Sequence, residues 1–106
     1  MPTYMYKVQP VRPEMLSEGH TDKESRIIGE HFDYLKQLMD DGILILAGRT
    51  LTTDYSSHGI AIFEARDDDH MRDIAQNDPA VIQKQFRAEW YPYRIALHEP
   101  NNVKAD

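Results

Sequence analysis

His31 sits on the apolar stripe of a helix-patterned segment, and Asp78 sits at a distant turn, Asn77-Asp78-Pro79. A histidine with a carboxylate partner is the smallest constellation that moves protons near neutral pH. If the two meet, Asp78 accepts the hydrogen on one imidazole nitrogen and fixes the tautomer. The other nitrogen is then left to face a pocket as general base or acid. Each residue also has a plainer use. His31 can be a core histidine bonded to backbone or water. Asp78 followed by Pro79 is a standard way to start a helix. A carboxylate has two oxygens, so capping and holding His31 are compatible.

Three further residues are candidates for substrate binding. Arg12 and Arg49 can bind an anionic or phenolic oxygen, although arginines are more often solvated or paired with acids. Tyr34 lies one helical turn from His31 and can line the same pocket or simply pack. The other motifs read as structure. Asp67, Asp68 and Asp69 suit a helix start. Trp90, Tyr91 and Tyr93 suit core, interface or edge packing. His58, His70 and His98 stand in polar or terminal contexts and read as surface residues.

Composition excludes much else. The chain has 106 residues, 41% of them hydrophobic, and a formal net charge of −6. It reads as one domain over 1–106 with a real core. An acidic balance without clustered Lys and Arg argues against nucleic acid. There is no cysteine, so disulfides, thiol nucleophiles and Cys-based zinc sites are out. The five histidines show no metal-ligand spacing, and no nucleotide-binding glycine motif is present. A cofactor is therefore not expected. No run of about 18 apolar residues exists to span a membrane. The first residues lack a secretory pattern, so a cytoplasmic protein is expected.

The elements that must position the pair follow from pattern. Residues 3–9 read as a strand ended by Pro10 and Pro13. Residues 10–22 read as a polar loop, long enough to suggest function. Thr21 or Asp22 caps a helix over 22–41, with Ile27, Ile28, His31, Tyr34, Leu35, Leu38 and Met39 on one face. Gly42 suits the position just past its end. Strands follow over 43–47 and 59–65, then a helix from 67–69 to 76, a short helix over 79–85 and a last strand over 90–98. The tail from 99 to 106 reads as mobile. The order is β-α-β-β-α-β, the ferredoxin-like split motif: an antiparallel α+β sheet with helices on one face. The inner strands are apolar on both sides. Two helices cover one face, so the other requires a partner, most simply a second copy.

In this order and spacing the chain resembles the YCII-related (YciI-like) family of the dimeric α+β barrel superfamily. The matching features are the His31 helix with Leu35 and Leu38, Gly42, Ala47-Gly48, the Gly59 to Ile62 strand and Asp78-Pro79, covering about residues 3–98. The resemblance implies a homodimer packed sheet to sheet and a site built on a His–Asp pair, which falls here on His31 and Asp78. Family members often have Pro after the Ala-Gly pair, where this chain has Arg49. One branch resembles a dehydrochlorinase of a chlorinated hydroxyquinol. The expected activity is cofactor-independent proton transfer, lyase- or isomerase-like, on a small and possibly phenolic molecule. The alternative is a non-catalytic metabolite-binding or assembly module with a structural His–Asp pair.

Overall fold

The structure, a computed structural model, describes residues 1–103. Four strands, β1 (Thr3–Pro10), β2 (Leu44–Arg49), β3 (Gly59–Glu64) and β4 (Phe86–Tyr93), form one sheet. All pairings are antiparallel and the spatial order is β2-β3-β1-β4. The helices are α1 (Glu14–Ser17), α2 (Asp22–Asp40), α3 (Asp68–Gln76) and α4 (Pro79–Ile82). This is the expected ferredoxin-like α+β arrangement. A short 3-10 turn, Pro100–Asn102, lies in the tail that the sequence marked as mobile. Residues 104–106 of that tail lie outside the described residues.

Alternation along β1 decides the core. Tyr4, Tyr6 and Val8 are buried, and their neighbours Met5 and Lys7 point to the other face. Register extends the buried face sideways, since Tyr4 pairs with Phe63 and Tyr6 with Ala61. Leu38 of α2 and Met71, Ile74 and Ala75 of α3 pack onto it. Tyr4 also donates to Asp68 Oδ1 at 2.8 Å, and Arg72 lies 5.8 Å over the Trp90 ring, which tie α3 to the sheet.

Helix ends follow local chemistry. Thr21 caps α2 in a full capping box with Glu24. Gly42 leaves the helix at φ +80°, a left-handed conformation that costs glycine little.

The structure shortens the last short helix to Pro79–Ile82 and carries the second strand on to Arg49, and three larger differences from the sequence reading shape the site. The 10–22 loop contains α1, whose Met15 is buried. The last strand is 86–93, not 90–98, because Phe86, Ala88 and Trp90 alternate onto the core. It follows α4 after a turn in which Lys84 adopts φ +59°. The third difference is a bulge in β2. Leu44 pairs with Phe63 but Leu46 pairs with Ile62, so one extra residue intervenes. Leu46 thereby turns to the open face, and Ala47 and Arg49 turn to the helix side.

Candidate functional site

The Asp78 carboxyl is completely buried. Burying it is costly unless its oxygens are satisfied, and three donors converge on it. Tyr6 Oη donates to Oδ2 at 2.8 Å. The Ala80 amide donates to Oδ1 at 2.9 Å, which is the helix cap of α4. His31 Nδ1 lies 2.9 Å from Oδ1 and 2.8 Å from Oδ2. Both oxygens accept hydrogens, so Nδ1 is placed to donate to the carboxylate, and in the neutral ring Nε2 then carries the lone pair. The imidazole also stands edge-on to Phe86, with centroids 5.1 Å apart at 85°. Ring position is therefore set from two sides.

Tyr6 and Tyr34 feel the same carboxylate. Burial first, and then the charge of Asp78, pushes the Tyr6 hydroxyl far above its ordinary range. Tyr6 therefore stays a donor at any physiological pH. Burial and Asp78 likewise push Tyr34 up to about 12.

His31 borders a cavity of about 700 Å³ between α2, the sheet and the 50–58 loop. That volume falls within the range of small-molecule sites. Its walls are largely apolar, including Val8, Leu35, Ala47 and Phe86. Met15 and Leu16 of α1 close one side. Arg49 also lines it, as do His20, Ser57 and His58.

The other two binding candidates lie elsewhere. Tyr34 does not line the cavity; its hydroxyl donates to the Ile74 carbonyl at 2.8 Å and joins α2 to α3. Arg12 does not line it either. Its guanidinium is held by Glu24, with Nε at 2.8 Å and Nη2 at 2.6 Å from the two carboxyl oxygens, and Nη2 also donates to the Gly19 carbonyl at 3.3 Å. A residue's distance along the sequence from His31 does not decide which way it points.

His58 was read from sequence as a surface residue, yet it lines the cavity. Its Nδ1 lies 2.7 Å from the Ser56 carbonyl, an obligate acceptor. Nδ1 is thus protonated here too, and Nε2 is left over. The signal for it was its place beside Gly59, at the start of β3, but a polar loop context hid it. Among the described residues, no three His, Cys, Asp or Glu side chains converge as a metal site. No described helix is long and apolar enough to cross a membrane.

The YCII-related domain model matches residues 6–89. Among solved structures, the chain is similar to 5-chloro-2-hydroxyhydroquinone dehydrochlorinase (TftG) from Burkholderia phenoliruptrix AC1100, in complex with 2,5-dihydroxybenzoquinone. The TM-score is 0.62 at 19% identity, covering 94% of this chain and 99% of that one. At that identity the likeness is one of fold. No curated protein matches the chain.

Proposed function

The chain belongs to the YCII-related family, and on that premise we propose that it is a cofactor-independent enzyme transferring protons on a small, largely apolar organic molecule. The observation that carries this reading is the buried Asp78, which engages His31 Nδ1 and leaves Nε2 for the cavity. In this reading Nε2 takes a proton from an acidic O–H or C–H of the substrate. The electron pair left behind then expels a leaving group, or is reprotonated at another atom. The first course is lyase chemistry and the second isomerase chemistry. Asp78 holds the ring and stabilises the imidazolium that forms. Tyr6 holds Asp78.

The structural neighbour is a dehydrochlorinase bound to a quinone, which makes phenolic and quinone-like rings the first substrates to try. The test is a screen of such compounds for binding and turnover. For any compound turned over, His31→Ala lowers kcat by about 100-fold or more, the usual worth of a general acid or base. Asp78→Asn lowers it as well. Binding without turnover, unchanged by either substitution in a folded protein, would instead mark a metabolite-binding or assembly module.

We also propose that the working unit is a homodimer. Leu46, Ile62, Met5 and Tyr91 form a row across all four strands on the face without helices. Leu46 is 60% exposed and Tyr91 44%. A contiguous apolar row of this kind favours burial against a second copy.

A further inference from the structure

The charge of the cavity runs against the charge of the chain. The protein has 18 acidic side chains and 12 basic ones. Among the described residues, however, no Asp or Glu lines the cavity, whereas Arg49, His20, His31 and His58 do. Three acids in the surrounding segments are engaged by other groups. Asp78 sits behind His31 with three donors. Glu24 holds Arg12. Asp54, in the 50–58 loop, accepts from the Ser56 amide and hydroxyl.

Arg49 is the opposite case. Among the described residues its guanidinium has no hydrogen-bond or ion-pair partner. The β2 bulge turns it to the cavity side, opposite Gly59. His58 is anchored directly across the mouth of the same hairpin. The Thr50 amide donates to the His58 carbonyl at 2.9 Å, and the His58 amide donates to Thr50 Oγ1 at 3.1 Å. Arg49 and His58 thus both line the apolar cavity, from adjacent rungs of the β2–β3 hairpin.

We propose that this end of the cavity is a carboxylate subsite, in which the Arg49 guanidinium holds the acid group of an otherwise apolar organic anion, and His58 donates a second bond to it from Nε2 when the imidazole is protonated at both nitrogens. The proposal rests on the reading of the cavity as the substrate site of His31, and it names the substrate class: small organic carboxylates. The guanidinium fork matches a carboxylate in shape and is the side chain best suited to hold one. Apolar walls take the rest of the molecule and strengthen the charge contact by excluding water. His31 Nε2 then meets an acidic hydrogen elsewhere on the same ligand.

The test reads binding and not turnover. Titration calorimetry compares 2-naphthoate with its neutral isostere 2-naphthamide and with 2-naphthylmethylammonium. The wild type binds the carboxylate about tenfold tighter than the amide, the worth of one charge-assisted hydrogen-bonded contact at a partly open site. It binds the ammonium compound most weakly. Added salt weakens the carboxylate and leaves the amide unchanged. Arg49→Gln abolishes the preference, His58→Ala weakens it, and His31→Gln retains it. The proposal is overturned if the amide binds as tightly as the carboxylate, if Arg49→Gln keeps the preference, or if neither probe binds at millimolar concentration. Because no turnover is read, loss of the carboxylate preference leaves the role of His31 standing. Failure of His31→Ala to slow turnover leaves the subsite standing.

Discussion

Asp78 does three jobs with two oxygens. It caps α4, accepts from Tyr6 and holds His31. Groups that share one buried acceptor act as a network, so removing one donor has consequences for the others. Tyr6→Phe removes the hydroxyl and leaves the ring. With one donor gone, the carboxylate is less well compensated in its buried site. Urea denaturation should show a loss of about 1.5–3 kcal/mol, typical of losing a hydrogen bond to a charged buried group. A variant as stable as the wild type would mean that Tyr6 adds nothing to holding Asp78. Turnover of any identified substrate should also fall, because the imidazole rests on the same carboxylate.

At the scale of elements, the segment that closes the cavity is tied down by charge. Arg12 and Glu24 link the stretch carrying α1 to the first turn of α2, and Met15 and Leu16 of that stretch face the cavity. The hydrogen bond from Arg12, then that from the Thr21 amide, lowers the Glu24 carboxyl from the ordinary 4.5 to about 2. A carboxyl lowered on folding contributes stability above its unfolded value, and loses it as pH falls towards its folded one. Its stabilising contribution is therefore complete above about 4.5 and lost as pH falls to about 2, where the carboxyl itself takes up its proton. Methyl NMR signals of Met15 and Leu16 should shift with a midpoint well below that of an ordinary glutamate, and Arg12→Gln should move the midpoint up. A wild-type midpoint near 4.5 would show that the link is not formed in solution.

The whole molecule is a sheet with one covered face. Leu46 and Tyr91, at the two ends of the row, stay open to water in the single chain. Sedimentation velocity at micromolar concentration should give twice the chain mass. Leu46→Arg places a charge in the row and should shift the population to monomer while the circular dichroism spectrum is kept. A wild type that sediments as a monomer would end the homodimer proposal, though it would not touch the His31 site inside one chain.

The sequence by itself determined the β-α-β-β-α-β order, the face of α2 that is buried, and the caps at Thr21 and Gly42. These are written in local terms. Apolar spacing, a capping box and an Asp-Pro pair depend on neighbours a few residues away. The His31–Asp78 meeting is long-range: residue pattern left it open, and it was expected only from the resemblance to the YCII-related family. Tertiary structure alone decided the rest of the cavity. A single-residue bulge, which leaves no mark in an unbroken apolar strand, set which side of the sheet Arg49 takes. The Glu24 contact drew Arg12 away from the cavity, and the Ile74 carbonyl drew Tyr34. His58 entered it because hairpin pairing returned a polar loop to the mouth of the sheet. Register and competing partners are properties of the assembled fold, so residue type and spacing do not reveal them.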